Sequence, residues 1–231
     1  SHDLRAPLVN LQGFSHELGL SCERLPSVLV DLQIPEAKRR ELSTLLEEDI
    51  PEAIEFITTN AVKMDGLLSG VLQVSRVGQA ALTIRLLDIN QMLSEIVASR
   101  QFAIEHADAS VQVDSLPNCS GDELQINQVF SNLLDNALKY LEPNRLGAIR
   151  ICGQEEPNQV VYSIEDNGIG IAAQHQDSIY KVFDRLDPQR GTGDGLGLTI
   201  VQRILNRHGG KIWVESEVNE GSKFYLSLPN D

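Results

Sequence analysis

Apolar residues in the first third of the chain recur at alternating steps of four and three. The first run consists of Leu4, Leu8, Leu11, Ser15, Leu18, Cys22, Leu25, Leu29 and Leu32. Pro35 closes this run, and a second helical pattern begins near Glu36. Its seam positions are Leu46, Ile50, Ala53, Ile57, Asn60, Met64, Leu67, Val71 and Val74. This is the spacing of a coiled-coil seam, so the pattern predicts two helices that form an antiparallel hairpin.

The apolar stripe of the second helix is wider than one neighbouring helix requires, because Ala61, Leu68 and Leu72 flank its seam. A stripe of that width buries more than one partner, so we expect two hairpins to pair into a dimeric four-helix bundle. Antiparallel pairing with equal rises places His2 level with about Gly66 and leaves residues 67–77 without a partner. We therefore expect the first helix to start upstream of Ser1, in a longer protein of which this sequence is a fragment.

One histidine stands at the beginning of the first predicted helix. His2 lies two residues before the seam position Leu4, so we expect its ring to lie off the apolar stripe and face solvent. Pro7 removes the backbone hydrogen bond that would reach the carbonyl of Asp3. The sequence therefore predicts a bend one turn after the histidine, which would expose the ring further.

The helical period ends at residues 78–81, and the remainder of the chain alternates strand and helix patterns. The predicted strands cover residues 82–87, 111–113, 149–152, 160–165, 211–215 and 223–228. The first predicted helix of this part begins at a capping box of Asp88 and Gln91 and runs to about His106. Two further predicted helices cover residues 123–141 and 196–208. We predict an α+β protein of two domains: the hairpin at 1–77, then an α/β sandwich at 82–231 with helices on one face of a mixed sheet.

The amino-acid composition limits the possible binding partners and the cellular location of the chain. Apolar residues at 42% and charged residues at 23% are ordinary for a soluble globular protein. The formal charge of −14 argues against nucleic-acid binding, and no apolar run approaches the ~18 residues of a membrane span, so we expect no direct membrane insertion. The three cysteines are widely spaced and predict neither disulfides nor zinc. We expect a cytoplasmic location, with tethering to a membrane possible only through upstream segments.

Polar residues on the helix "QVFSNLLDNALKY" form the first candidate site. Asn132, Asn136 and Lys139 stand at i, i+4 and i+7 and therefore share one face. Amide oxygens can bind a hard cation, and a lysine beside them can neutralise a phosphate. The alternative is an ordinary solvated face.

Two glycine-rich stretches follow. In "IEDNGIGI" a strand runs into Asp166, where a carboxylate could accept a hydrogen bond from an amino group such as that of adenine. In "RGTGDGLGLTI" four glycines lead into a helix, an arrangement that can bind phosphate through free N–H groups and the helix dipole. A plain loop and a mobile surface lid are the respective alternatives. The last motif, "NEGSKF", is explained equally well by a hairpin turn.

The motifs SHDLRAPL, NLLDNALKY, DNGIGI, KVFDRL, GTGDGLGL and NEGSKF resemble, in order and spacing, the H, N, G1, F, G2 and G3 boxes of bacterial sensor histidine kinases. The resemblance spans essentially the whole chain. Residues 1–77 look like the HisKA-type dimerisation and phosphotransfer hairpin, and residues 82–231 look like the GHKL-type catalytic domain. It implies ATP and Mg²⁺ as cofactors, a homodimer, and a response regulator receiver domain as partner. It also implies an upstream sensory domain that this chain does not include.

The resemblance implies a role for each matching residue. His2 would accept the phosphoryl group, and Asp3 would orient its ring or accept its proton. Asn136 would bind Mg²⁺ with Asn132 close by. Further nucleotide-binding positions implied by the resemblance are Lys139 and Tyr140 at the phosphates and ribose, Asp166 at the adenine amino group, and Gly168, Gly170, Ile171, Arg185, Gly193, Gly195, Leu196, Gly197, Leu198 and Ser222. Phe183 would pack in a lid, and Arg190 could reach the γ-phosphate, as Arg185 could.

Two other functions compete with a kinase. ATP-hydrolysing enzymes of the same nucleotide fold resemble one another in placing a glutamate four residues before the metal-binding asparagine, where this chain has Asn132. A scaffold without chemistry would not need the full set of catalytic residues. The chain also departs from the kinase pattern at Ala6, where threonine or asparagine often supports phosphatase activity. The sequence therefore predicts histidine phosphorylation and puts phosphatase activity in doubt.

Overall fold

The computed structural model describes residues 2–29, 35–79, 81–180 and 196–230, and for residues 2–6, 28–29, 63, 67 and 69–79 it describes the backbone only. The chain divides into two compact units, Ser1–Leu72 and Gln73–Asp231.

Every described residue of the first unit except Pro35 is helical. Its elements are α1 (His2–Leu29), α2 (Glu36–Thr44), a π-helical turn (Leu45–Asp49) and α3 (Ile50–Gln79), which continues into the second unit. The seam positions therefore lie on helices as predicted, except for Leu32, which lies outside the described residues. The turn predicted between the two runs lies mostly outside the described residues.

The π-helical turn has a visible cause in the sequence. Pro51 stands two residues after its end, and a proline ring inside a helix clashes with the carbonyl four residues earlier. The backbone N–H of Ile50 bonds to the carbonyl of Leu45, five residues back, which widens the helix at this point. Pro7 and Pro26, in contrast, lie inside α1 without ending it.

Among the side chains of the first unit that the structure describes, three are buried in the single chain. They are Leu8, Ser15 and Ala61, which shows that the one polar seam position of α1 is covered. Several large apolar residues of the two seams remain exposed, namely Leu11, Leu18, Leu25, Ile57 and Met64. The helices therefore present an apolar surface that one copy of the chain does not cover.

The described residues of the second unit form two sheets and four further α-helices. Its elements are β1 (Ile84–Leu87), α4 (Ile89–Ser99), α5 (Gln101–His106), β2 (Ala109–Val113), β3 (Cys119–Asp122), α6 (Glu123–Lys139), β4 (Gly147–Glu156), β5 (Gln159–Asp166), α7 (Gly197–Arg207), β6 (Lys211–Glu217) and β7 (Gly221–Pro229), with a short 3₁₀ turn at Ala173–His175. The main sheet has the order β2-β4-β5-β7-β6. Strands β2 and β4 are parallel and the other neighbours antiparallel, so the sheet is mixed, as predicted.

The core lies between the helices and one face of this sheet. Side chains alternate between buried and exposed over the first five residues of β4 and between half-buried and exposed along β6, the pattern of a sheet covered on one face. Phe130 of α6 meets Tyr162 of β5 edge to face with ring centroids 5.4 Å apart. Each such fully buried side chain contributes roughly 1.5–3 kcal/mol to folding. This packing fixes the position of α6 over the strand that ends at Asp166.

The structure corrects three details of the predicted elements. The helix predicted from Asp88 to His106 is interrupted at Arg100, whose backbone leaves the helical region and separates α4 from α5. Strand β3, which pairs antiparallel with β1, was not predicted. Strands β4 and β7 extend beyond their predicted bounds at both ends, into residues that lie next to the turns. Asp88 does accept a hydrogen bond from the N–H of Gln91, so the predicted capping residue is confirmed.

In the part of the chain that the structure describes, no helix combines the length and the apolar character that crossing a bilayer requires.

Candidate functional site

The amide face of α6 forms one side of the site. Asp122 caps this helix by accepting from the N–H of Gln125, and the apolar residues of α6 pack on the sheet. Asn132 and Asn136 occupy another face and are half-buried. The side-chain amide of Asn132 donates to the carbonyl of Gly197 at 3.4 Å. A Cβ atom at Gly197 would lie 4.0 Å from Nδ2 of Asn136, so the structure brings all three predicted residues together.

The end of α6 connects this face to the Asp–Gly turn. The N–H of Tyr140 donates to the carbonyl of Asn136, and the carbonyl of Tyr140 accepts from the N–H of Ile169 at 2.9 Å. The ammonium of Lys139 lies 5.1 Å from the centre of the Tyr140 ring. Lys139 and Tyr140 therefore stand between the amide face and the turn that follows β5.

Asp166 ends β5 and is the buried acid of the site. Only 7% of its surface is exposed. Its Oδ1 accepts from the N–H of Gly168 at 2.8 Å. Burial raises the pKa of Asp166 from 3.8 to about 6, although the N–H groups of Gly168 and Ser222 and the charge of Arg145 oppose that rise. A buried carboxylate with an accepting oxygen can recognise an amino group.

The two glycines of the turn are required by its geometry. A Cβ atom at Gly168 would lie 2.2 Å from the carbonyl oxygen of Tyr140. Gly170 has φ +70°, and a Cβ atom there would lie 1.9 Å from the carbonyl oxygen of Glu217. Neither position can hold a side chain without moving the backbone.

Serine hydroxyls support the other side of the turn. The N–H of Ile171 donates to Oγ of Ser216 at 2.7 Å, and Oγ of Ser216 lies 2.9 Å from Oγ of the buried Ser222. Gln176 donates to the carbonyls of both Ile171 and Ser216. Ser222 and Ile171, both predicted site residues, therefore belong to one network behind Asp166.

Helix α7 begins beside the amide face of α6. Leu196 precedes it, is buried, and provides no side-chain cap, so no side-chain oxygen satisfies the first N–H groups of the helix at that position. Leu198 is half-buried beside it. The hydroxyl of Thr199 donates to the carbonyl of Tyr180 and fixes the first turn. A helix start of this kind favours an anion through its N–H groups and dipole.

Several predicted residues lie outside the described residues. These are the lid positions Phe183, Arg185, Arg190, Gly193 and Gly195. His2, Asp3 and Ala6 lie on helix α1, but the structure describes only their backbone. Their predicted roles therefore stay predictions.

Sequence reasoning missed four residues that hold the site together: Arg145, Asn167, Gln176 and Ser216. The side chain of Asn167 accepts from the N–H of Ala148 and donates to the carbonyl of Leu146, both at 2.9 Å. The only signal for it was its place after a strand, where asparagine often bonds to nearby backbone. Arg145, from the loop between α6 and β4, had no sequence signal at all.

The oxygen atoms of the site suit a hard cation that is also bound by phosphate better than a metal ion bound by protein side chains alone. Among the described residues no group of three or more His, Cys, Asp or Glu side chains could hold a metal ion. Mg²⁺ commonly binds through one or two protein oxygens together with substrate phosphates. The amide oxygen of Asn136, with Lys139 one turn further along the same face, fits that pattern.

Comparisons with known proteins agree with this chemistry. Residues 121–231 match the family described as "Histidine kinase-, DNA gyrase B-, and HSP90-like ATPase". The chain is 31% identical over 232 residues to the phytochrome-like protein Cph1 of Synechocystis, and the match covers 99% of this chain and 28% of Cph1. It is 32% identical over 241 residues to the adaptive-response sensory kinase SasA of Synechocystis, covering 99% of this chain and 57% of SasA.

Two solved structures share the fold. Full-length ShkA in complex with AMPPNP matches with a TM-score of 0.66 at 23% identity, covering 99% of this chain and 44% of that chain. Histidine kinase ThkA in complex with the response regulator protein TrrA matches with a TM-score of 0.61 at 20% identity, covering all of this chain (100%) and 59% of that one. The chain thus spans between about a quarter and three fifths of the length of these proteins.

Proposed function

We propose, on the premise that the chain belongs to the sensor histidine kinases and carries their ATP-binding catalytic domain, that it transfers the γ-phosphoryl group of ATP to His2 and from there to an aspartate of a response regulator. The observation that carries the proposal is the juxtaposition of Asn132, Asn136 and Gly197 beside the buried Asp166 turn. Residues 1–77 would be the phosphotransfer hairpin and 82–231 the catalytic domain.

The nucleotide would lie across the amide face and the Asp–Gly turn. The second carboxylate oxygen of Asp166 would accept from the adenine amino group, because its Oδ1 already accepts from Gly168. Gly168 and Gly170 would let the purine approach the backbone. Lys139 and the start of α7 would neutralise and bind the phosphates.

Asn136 would hold Mg²⁺, and Asn132 would orient the start of α7 through its bond to Gly197. When bound, the cation would offset charge on the phosphate oxygens. The Asn132 amide has no basic oxygen able to take a proton from water. This favours transfer to a protein side chain over hydrolysis, the second function considered for this fold.

The chemistry of the phosphoryl acceptor follows from the imidazole ring of His2. A neutral ring nitrogen of His2 attacks the γ-phosphorus in line, the bond to the β–γ bridging oxygen breaks, and ADP leaves. The product is a phosphorylated histidine, whose ring proton passes to a base; Asp3 is the proposed one. The phosphoryl group then moves to a carboxylate on the receiver domain of a response regulator, which regenerates His2.

A second copy of the chain would cover the exposed seams. Leu11, Leu18, Ile57 and Met64 are apolar and exposed in one copy, as expected if two hairpins form a four-helix bundle.

The partner named for ThkA is a response regulator protein, which supports a receiver domain as the partner here. With alanine at position 6, we expect weak phosphatase activity toward that partner.

Incubation with γ-labelled ATP and Mg²⁺ tests the proposal. Label on protein that is stable to alkali, labile to acid, and localised to His2 by mass spectrometry is the expected result. His2→Gln should abolish it, while His16→Gln, a change of an exposed histidine further along α1, should leave it intact. Free phosphate without labelled protein would make the chain an ATPase, and neither product would make it a scaffold.

A further inference from the structure

The loop between α6 and β4 contributes one side chain that reaches two separate turns of the site. Nη2 of Arg145 donates to the carbonyl of Gly168 and to the carbonyl of Asn219, both at 2.6 Å. Gly168 belongs to the turn after β5, and Asn219 belongs to the turn between β6 and β7. One guanidinium nitrogen therefore joins two segments far apart in sequence.

These two turns are otherwise held by short backbone contacts. The N–H of Asn219 donates to the carbonyl of Ile169 at 2.8 Å, and Asn219 has φ 68°. A Cβ atom at Gly221 would lie 2.0 Å from the carbonyl oxygen of Asp166. The β6–β7 turn thus lies directly against the Asp–Gly turn, and Arg145 binds both from the outside.

We infer that Arg145 is a positioning residue for adenine recognition: it fixes the Asp166–Gly170 turn against the β6–β7 turn and holds a positive charge near the adenine-binding carboxylate. The inference rests on the proposed nucleotide-binding function. Arg145 does not touch the adenine itself. A guanidinium suits the role because one planar group can donate to two carbonyls while keeping its charge at all working pH values.

The charge of Arg145 acts on Asp166 as well as on the backbone. It lowers the pKa of that carboxyl, while burial and the neighbouring Glu165 raise it. The N–H groups of Gly168 and Ser222 also favour the ionised form. Removing the guanidinium should therefore raise the pKa of Asp166, so that adenine binding would be lost at a higher pH.

Isothermal titration with ADP, measured on the full chain between about pH 5 and 8, tests the inference. ADP carries the adenine but cannot phosphorylate the protein. Arg145→Met should weaken ADP binding about tenfold and move the pH midpoint of binding upward. Arg145→Lys keeps the charge but places its donors on a flexible four-carbon stem in place of the planar guanidinium, so it should weaken binding while leaving the midpoint near that of the parent chain.

Arg150→Met is the matched control. Arg150 lies on β4 opposite Glu165, is exposed, and its guanidinium lies 2.9 Å from a carboxylate oxygen of Asp114. It should change neither the affinity nor the midpoint.

Unaltered ADP affinity in Arg145→Met would overturn the inference. Equal midpoints for Arg145→Met and Arg145→Lys would also overturn it, because the residue would then act only structurally. Failure of the parent chain to bind ADP would instead refute the proposed function, and the inference with it.

Discussion

Nε2 of His208 accepts a hydrogen bond of 3.1 Å from the backbone N–H of Asp122, which lies 86 positions earlier in the chain. Nδ1 of the same ring lies 2.8 Å from the carbonyl of Ile204, so Nδ1 carries the proton and the ring is neutral. His208 caps the end of α7, and Asp122 caps the start of α6. The buried ring therefore sets the relative position of the two helices that carry Asn136 and Gly197.

His208→Phe should destabilise the second unit by about 1–3 kcal/mol, because a buried N–H of Asp122 would lose its acceptor. Urea unfolding at neutral pH measures the change. His106→Phe is the control, since His106 is exposed and stacks on Phe102. Equal stability of the two variants would show that the ring does not join the helices in the way described here.

Gly170→Ala should destabilise the chain by at least about 1 kcal/mol and weaken nucleotide binding. Its φ of +70° is strained for alanine, and the added Cβ would meet the carbonyl of Glu217. Thermal unfolding and ADP titration report the two effects. Gly13→Ala is the control, because that helical position has open space around it and alanine should stabilise α1 slightly. Normal ADP affinity in Gly170→Ala would contradict the proposed approach of the purine to this turn.

Much of the catalytic fold could be predicted from the sequence because its elements carry strong periodic signals. The apolar face of α6 and the alternation in β4 both follow from spacing. Strand β3 could not be predicted, since it has four small or polar residues, "CSGD", and pairs only with β1. The π-helical turn before Pro51 also escaped prediction, because spacing alone does not show how a helix accommodates a proline.

The candidate nucleotide site could be predicted from the sequence only in part. Asp166, Gly168 and Asn136 stand in motifs that a reader of the sequence can see, and the structure brings their elements together. Arg145 stands in no motif, and its partners are backbone carbonyls 23 and 74 positions further along the chain. Any residue type provides a backbone carbonyl, so no sequence pattern records such a contact. Residues of this kind can be identified only when the positions of the turns in the folded chain are known.

Asp166→Asn should stabilise the unliganded chain at about pH 7.5 by roughly 1–2 kcal/mol while preventing adenine recognition. The pKa of Asp166 is raised in the folded chain from 3.8 to about 6, so the folded state binds a proton more tightly than the unfolded state. The parent chain therefore gains stability through this group as the pH falls from about 6 towards 3.8, and the asparagine variant does not.

Urea unfolding of both proteins at about pH 7.5 and about pH 5 checks this, and the difference between them should shrink at the lower pH. Glu95→Gln is the control, because that carboxylate is exposed on α4 and accepts a hydrogen bond from the side-chain amide of Gln91. A parent chain that is more stable than Asp166→Asn at both pH values would mean that its hydrogen bonds outweigh the cost of burying the charge.

Leu18→Glu should shift the chain from dimer to monomer, if the exposed seam of α1 is the surface that a second copy covers. Leu18 is 51% exposed in one copy, and a glutamate buried in a bundle core without a partner would cost several kcal/mol. Sedimentation velocity across a range of concentrations measures the change. His16→Glu adds the same charge on α1 away from the seam and should leave the assembly unchanged. A parent chain that sediments as a monomer at tens of micromolar would contradict the bundle, and so would a dimer that survives Leu18→Glu.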